Sequence, residues 1–302
     1  MRLALTGGTG FVGQAVLDEA GRRGWQVTAL ARRDMAPREG VDWVRGDLAD
    51  HAALARLAQG ADAVLHVAGV VSAPDKAGFA AGNVDGTRAV VDAARDAGVA
   101  RFVHVSSLAA REPGLSDYGH SKRLAEEVVQ VSGLDWTVVR PPAIYGPRDT
   151  EMFELFRAAR WCVLPMPPRG RASYIHVEDL ARLLLDLVPA REAASGRIFE
   201  PDDGHAGGWS HQDVGHAIGR AVGRRVWAPS LPGRLLTAAA RLDRKLRGDK
   251  AKLTPDRARY MAHPDWTARA ERAVPGDIWQ PRIGLEAGLA ETARWYGEAG
   301  WL

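Results

Sequence analysis

The sequence predicts an α/β fold, a doubly wound parallel sheet followed by a smaller C-terminal lobe. Three observations predict it. Short β-branched or apolar runs alternate with longer amphipathic stretches through the first half of the chain, which is the rhythm of βαβ units. A glycine-rich turn separates the first apolar run from the first amphipathic stretch. After Arg140 the texture changes: prolines cluster at positions 141, 142, 147, 165, 167 and 168, and the periodicity becomes intermittent.

Six strands are expected in the first half, at Arg2–Thr6, Gln26–Ala31, 42–45, 63–67, 101–106 and 136–140. Between the first two, Val12, Ala15, Val16 and Ala20 share one helical face, and Gly24 supplies the stop. Later helices are expected at 52–59, 84–97 and 118–132, with stops at 96–98 and at Ser132-Gly133. Order returns at 173–188, read as a strand over 174–177 and a helix over 179–187. The core is therefore assigned to 1–147 plus 174–190, and the substrate-binding lobe to 148–173 and 191–302. Within the lobe, Leu235, Ala239, Leu242 and Leu246 align on one face of a basic helix over 234–252. Packing on the lobe explains that stripe, with contact to a membrane or a lipophilic substrate as the other reading. Trp295 and Tyr296 end a helical pattern that begins at Leu285.

Composition narrows the classes. With 46% hydrophobic and 25% charged residues in 302, the chain can bury a sizeable core. The sole cysteine, Cys162, excludes an internal disulfide and a cysteine-rich zinc site, which fits a reducing compartment. The first apolar run breaks at Thr6-Gly7-Gly8, too short for a signal sequence, and no integral membrane segment is read, so the expected location is cytoplasmic. A pI of 9.2 accompanies a net charge of only +3 with interspersed acids, which argues against nucleic acid. Nearly all basic residues are arginine, the lysines being only Lys76, Lys122, Lys245, Lys250 and Lys252.

The turn Thr6-Gly7-Gly8-Thr9-Gly10-Phe11-Val12-Gly13 follows a strand and opens a helix. Gly7, Gly10 and Gly13 permit close approach of a pyrophosphate to backbone N–H groups at the positive end of a helix, the mark of a Rossmann-type dinucleotide site. At the end of the second strand, Ala31-Arg32-Arg33 stands where an acidic residue would hold a ribose 2′-hydroxyl. Arg32, with Arg33, can fork onto a 2′-phosphate, so NADP(H) is the expected cofactor and NAD(H) the alternative; two solvated arginines are the plainer reading. Asp47 and Leu48 follow the third strand, where a carboxylate can accept from an adenine amino group while the leucine packs on its face; Asp47 reads equally well as a turn residue.

Tyr118 and Lys122 stand four apart at the start of a helix and so share a face. A phenol is a poor base at neutral pH, and a neighbouring cation favours its ionised form. Lysine at 122, in a chain that otherwise uses arginine, suits a flexible ammonium that must reach both a phenol and a sugar hydroxyl. Ser106 and Ser107 end a strand at the carboxyl edge of the sheet, where such sheets bind ligands. Alternation turns one of them away, and Ser107 is the one assigned to a substrate oxygen. His66 and His104 fall on interior strands and read as packed side chains, and no metal site is expected at His176, Glu178 and Asp179, since Asp179 opens a helix.

Together these residues resemble the short-chain dehydrogenase/reductase superfamily, in particular its extended branch, often labelled NAD-dependent epimerase/dehydratase. The resemblance covers Met1 through Gly146 and resumes at 174–187. It rests on the glycine turn, Gly46-Asp47-Leu48, His66-Val67-Ala68-Gly69, Asn83-Val84-Asp85-Gly86-Thr87, Ser106-Ser107, Tyr118/Lys122 and Arg140-Pro141-Pro142-Ala143-Ile144-Tyr145-Gly146-Pro147. It implies that Tyr118 is the acid/base, that Lys122 holds the nicotinamide ribose and tunes the phenol, and that Ser107 polarises the substrate oxygen. Val67 and Ala68 would lie along the cofactor, Pro141 and Ile144 near the nicotinamide, and Asn83 would support the site from a helix or act as an N-cap. Leu108-Ala109-Ala110 stands where dehydratases of the branch carry acids, and the Val-Tyr-Gly of sugar epimerases is missing, whereas Ala31-Arg32-Arg33-Asp34 is similar to dihydroflavonol-reductase-like carbonyl reductases. The expected function is thus an NADP(H)-dependent oxidoreductase acting on a carbonyl or alcohol carbon of a small apolar substrate. A nucleotide-sugar epimerase and a non-catalytic NADP(H)-binding sensor or assembly protein are the alternatives, and a homodimer through the helices at 84–97 and 118–132 is open by resemblance alone.

Overall fold

The computed structural model describes residues 1–248 and 254–302. Its contacts divide into two compact units: Met1–Pro141 with Glu178–Glu200 and Arg272–Gln280, and Pro142–Val177 with Pro201–Glu271 and Pro281–Leu302.

The first unit is built on β1 (Arg2–Thr6), β2 (Gln26–Ala31), β3 (Val41–Arg45), β4 (Ala63–His66), β5 (Arg101–Val105) and β6 (Asp135–Val139). These strands pair in parallel in the order β6-β5-β4-β1-β2-β3, and a seventh, Arg197–Phe199, pairs in parallel with β6 at the edge. Strands β1, β4 and β5 are buried almost throughout because helices cover both faces, which is why they read as unbroken apolar runs. The helices include α1 (Phe11–Arg22), α2 (His51–Ala58), α3 (Lys76–Phe79), α4 (Gly86–Asp96) and α5 (Asp117–Gln130). Leu54 and Leu57 of α2, Val90 and Ala94 of α4 and Val129 of α5 meet Val64, Phe102 and Val138 of the sheet in one core layer. The chain reverses its order across the sheet between β1 and β4, so the carboxyl ends of those two strands flank the crevice where such sheets receive ligands.

The edge strand Arg197–Phe199 was not among the six expected, and it draws residues 191–200 out of the C-terminal lobe and into the core. Residues 272–280 join the core as well, because Trp279 Nε1 donates to the Asp179 carbonyl at 3.1 Å and Arg182 lies 5.9 Å over the indole. Arg101, wholly buried at the start of β5, donates to Asp135, Thr137 and the carbonyls of Leu187 and Val188, and so ties β5 and β6 to the end of the helix Val177–Asp186.

In the second unit, Tyr174–His176 pairs in parallel with Ala143–Tyr145, so the strand expected at 174–177 lies outside the seven-stranded sheet. A separate sheet joins Arg171–Ala172 antiparallel to Trp209–Ser210 and parallel to Asp265–Trp266. The closing helix Leu285–Glu298 is anchored by Tyr296, whose hydroxyl donates to the Asp149 carbonyl at 2.6 Å and whose ring meets Phe156 edge-on. The basic helix runs over Gly233–Arg247 and turns Leu236 and Ala240, not Leu235, onto Ala258 and Met261. Residues 249–252 of the stretch read as basic helix lie outside the described residues, as do the side chains at 239, 242 and 246. Among the described residues no helix is long and apolar enough to cross a membrane.

Candidate active site

The glycine turn closes tightly on itself. Gly7 takes φ +76°, and a Cβ there would stand 2.7 Å from the amide nitrogen of Ala68. Gly10 N donates to Gly7 O at 3.0 Å, and a side chain at Gly13 would strike the Gly7 carbonyl. Gly10 is also the N-cap of α1 and offers no side chain to its first amides, those of Phe11, Val12 and Gly13. The result is a helix N-terminus with a Cβ-free approach, the form that receives a pyrophosphate, so the residues present fit a dinucleotide. Val67 and Ala68, both half-buried, flank Gly7 on the β4 side.

A chain of hydrogen bonds fixes that flank. Ala68 N donates to Thr6 Oγ1 at 3.2 Å, and Thr6 Oγ1 lies 2.6 Å from His66 Nδ1. His66 Nε2 lies 3.0 Å from Thr87 Oγ1, whose own proton goes to the Asn83 carbonyl at 2.6 Å. Thr87 must therefore accept from His66, which makes the ring a neutral Nε2–H tautomer; burial pushes its pKa down to about 3, with the Lys122 charge adding to the effect. His66 is thus a packed histidine, as its strand position implies, but one with a defined linking task. His104, stacked 5.3 Å from it, is held well below the usual range, first by burial.

Arg32 and Arg33 follow β2 and are exposed. Asp34, the first carboxylate after the strand, is engaged by Arg45 at 3.1 Å, which leaves the strand end cationic. Asp47 Oδ1 accepts from Ala49 N at 2.9 Å and so forms a turn, while the N-cap of α2 is Asp50, accepting from Ala53 N at 2.9 Å. Leu48 packs on α4, where a Cβ at Gly86 would stand 2.7 Å from Leu48 Cδ1.

Ser107 and Tyr118 are brought together by a close approach of two turns. Ser107 caps a 3-10 turn, Leu108–Arg111, with Oγ accepting from Ala109 N at 3.2 Å, and Leu108 N donates to Pro141 O at 3.1 Å. Ser116 caps α5 through Gly119 N at 2.9 Å. Gly119 then lies so close to the 3-10 turn that a Cβ would stand 2.6 Å from Ala109 O. Tyr118 consequently hydrogen-bonds the Ser107 side chain; burial holds its phenol above the ordinary value and the serine draws it partly back. One turn on, Lys122 is buried and donates from Nζ to Val105 O at 2.8 Å. Burial pulls its pKa down to about 8 against the opposing pull of Glu126. The phenol is thus moved here by burial and Ser107, while the ammonium is held on the strand.

One partner escaped the sequence reading. Glu126, fully buried, accepts from Ser106 Oγ at 2.5 Å and from Arg140 at 2.6 and 2.8 Å, and Arg140 reaches Glu200 at 3.4 Å. Ser106 therefore faces away from Ser107, as alternation requires. Asn83 lies inside a π-helical turn, Ala80–Asp85, not at an N-cap. It binds both Val70 N and Val70 O, at 2.7 and 3.0 Å, and donates to Ser121 Oγ at 2.9 Å, so it clamps the segment after β4 to α5. Gly69 leaves room there, since a Cβ would stand 3.1 Å from Asn83 Oδ1 and 3.5 Å from Lys122 Nζ. Ile144 belongs to the second unit, half-buried in the strand Ala143–Tyr145. Among the described residues no group of three or more histidines, cysteines and carboxylates could hold a metal.

Comparison with known proteins places this arrangement. Residues 7–190 match the model of an NAD(P)H-binding family. A ceramide reductase of Caulobacter vibrioides is 40% identical over 309 residues, covering 99% of this chain and 96% of that protein. The 4-hydroxy-2-methyl-3-oxo-4-farnesyl-3,4-dihydroquinoline-1-oxide ketoreductase of Stigmatella aurantiaca is 32% identical over 231 residues, 68% of this chain and 69% of its own length. The fold is shared with MoeE5 in complex with UDP-glucose and NAD, at a TM-score of 0.73 and 23% identity over 99% of both chains. The chain therefore belongs to the NAD(P)H-binding family within the extended branch of the short-chain dehydrogenase/reductase superfamily, and it is an NAD(P)-dependent oxidoreductase of that type.

Proposed function

We propose that this protein uses NADPH to reduce a ketone on a ceramide-like lipid, with Ser107, Tyr118 and Lys122 as its catalytic residues. The observation that carries the reading is the hydrogen bond between Ser107 and Tyr118 at the carboxyl edge of the sheet, one helical turn from a buried lysine. The substrate class is supported by the likeness to the Caulobacter ceramide reductase over nearly the whole chain. An amide carbonyl is too unreactive for hydride addition, so the reacting carbon would be a ketone in the lipid's long-chain base.

When bound, the nicotinamide supplies the hydride to that carbon. The amides of Phe11, Val12 and Gly13 would hold the pyrophosphate within the turn formed by Gly7 and Gly10, with Val67, Ala68 and Leu48 along the cofactor and Pro141 toward the ring. Arg32 and Arg33 would bind the 2′-phosphate at a strand end whose nearest acid, Asp34, already has a partner. Asp47 would reach an adenine amino group with the carboxylate oxygen its turn leaves over. The raised pKa of Tyr118 keeps its proton on at neutral pH, the state required to protonate the alkoxide as it forms. Ser107 Oγ would donate to the same oxygen. Lys122 keeps one proton on Val105 O and has two to spare for ribose hydroxyls and the phenol.

The test is NADPH consumption with a ketone-bearing ceramide in detergent. One NADPH should be oxidised per alcohol formed, which an epimerase or a binding protein would not do. Tyr118→Phe should lower kcat by about 10²- to 10⁴-fold, the usual weight of general acid catalysis. Undiminished turnover by that variant refutes the mechanism.

A further inference from the structure

One surface of the second unit is both aromatic and cationic. Trp161, in the turn after the helix Phe153–Ala159, is 82% exposed, Val163 is 43% exposed and Trp227 is 69% exposed. Val163 and Trp227 face each other across a parallel bridge, held by Trp227 N to Cys162 O and Leu164 N to Trp227 O, both 2.9 Å. A second bridge, Met166 to Ser230, continues the pairing, while Leu164, Met166 and Ala228 are buried beneath it. The two indoles therefore stand on a ridge fixed by backbone hydrogen bonds, and their exposure leaves apolar surface in water that packing does not use.

The two stretches of chain that supply this ridge carry charge of one sign. No aspartate or glutamate occurs between Glu154 and Glu178 or between Asp213 and Asp243, the two stretches that supply the ridge. Arg160 precedes Trp161, Arg224 and Arg225 precede Trp227, and Arg234 follows in the second stretch; all four are exposed. Elsewhere the chain intersperses its charges, so this clearing of acids is local. Indole rings settle at the boundary between headgroups and hydrocarbon, and arginines beside them meet lipid phosphates.

We infer that this ridge docks the protein on the surface of an anionic phospholipid bilayer, with Trp161 and Trp227 among the headgroups and the neighbouring arginines on the phosphates. The inference stands on the ridge alone and does not depend on the reductase reading.

The full chain is floated with vesicles of equal phosphatidylglycerol and phosphatidylcholine, and with vesicles of phosphatidylcholine alone. It should rise with the anionic vesicles at low salt and much less with the neutral ones. The double variants Trp161→Ser/Trp227→Ser and Arg224→Glu/Arg225→Glu should each weaken binding at least tenfold, while their unfolding midpoints and NADPH affinity stay at wild-type values. Absence of binding to anionic vesicles at low salt overturns the inference, as does equal binding by folded variants. A dimer in sedimentation that the tryptophan variant breaks, with vesicle binding untouched, would assign the ridge to a second copy and overturn it too. So would tighter binding to single-stranded RNA than to vesicles. Turnover of a detergent-dissolved ketone is measured separately, so a failure of docking and a failure of the proposed activity are told apart.

Discussion

Replacing Gly119 by alanine isolates the contact that brings the phenol to the serine. The new Cβ would stand 2.6 Å from Ala109 O, a backbone atom of the 3-10 turn, where ordinary contact begins at 3.4 Å. Because Ala109 N is itself bonded to Ser107 Oγ, either the turn or the first turn of α5 must move, and Tyr118 is the residue next to the intrusion. Overpacking of this kind costs about 1–3 kcal/mol, offset by about 1 kcal/mol of helix propensity, so the net loss of stability should be no more than about 2 kcal/mol. The catalytic effect should be larger, since a misplacement approaching 1 Å at a reacting group costs on the order of 100-fold. We expect kcat to fall about 10- to 100-fold while the Kd for NADPH, set at the glycine turn, stays within about twofold. Gly21→Ala in α1, where a Cβ meets nothing within 4 Å, is the control and should leave kcat alone. Stopped-flow oxidation of NADPH gives kcat, and fluorescence titration gives Kd. A Gly119→Ala enzyme that folds and turns over at the wild-type rate would refute the claim that this approach sets the Ser107–Tyr118 pair.

Four further outcomes follow from the site. Lys122 has a folded pKa of about 8 against an ordinary 10.5, so the ammonium is lost as pH rises through 8 and kcat/KM for NADPH should fall along that limb; Lys122→Met should lack the limb, and a flat wild-type profile from about pH 7 to 9 would count against the assignment. The same shift has the opposite sign for stability: between about pH 8 and 10.5 the unfolded chain binds the proton and the folded one does not, so this residue's contribution to unfolding free energy should rise with pH, visible in urea titrations as a difference between wild type and Lys122→Met. Glu126→Gln takes from Ser106 and Arg140 the carboxylate they share, leaving Arg140 only Glu200 at 3.4 Å, and should cost about 2–3 kcal/mol in urea unfolding; a loss below about 1 kcal/mol would show the network to be slack. Arg32→Glu should invert the ratio of kcat/KM for NADPH over NADH, and an unchanged ratio removes the case for the 2′-phosphate.

The parts of the fold legible in the sequence are those with a physical period. Strands β1 to β6 are found within one residue of their expected bounds, and β1, β4 and β5 read most plainly because burial on both faces demands unbroken apolar runs. Arg197–Phe199 escaped because three residues carry no period, and its identity as a strand comes only from pairing with β6. Ala143–Tyr145 was hidden by its prolines on either side and by a partner thirty residues on. In the site, the four-residue spacing of Tyr118 and Lys122 was readable, whereas their environments were not. That the phenol is moved chiefly by burial and the ammonium tied to Val105 depends on depth, which no spacing reports. In the basic stretch Leu236 rather than the expected Leu235 turns inward, since the two are adjacent and only the partner at Ala258 decides between them; the side chains at the other expected positions lie outside the described residues.

Helix α5 shows how position and charge are set by the same contacts. Tyr118, Lys122 and Glu126 recur at four-residue intervals and so lie along one face. The residues at the end of β5 receive them in turn: Ser107 takes Tyr118, the Val105 carbonyl takes Lys122, and the Ser106 hydroxyl takes Glu126. Sliding or rotating the helix would break all three at once, so the phenol is placed by contacts two turns away as well as by its own. Burial pulls the pKa of Lys122 down, and the carboxylate one turn on opposes that. Glu126 is not left alone in so dry a place, because Arg140 meets it with two hydrogen bonds. A salt bridge whose immediate task is to seat a helix thereby also keeps a cation available beside the reacting groups.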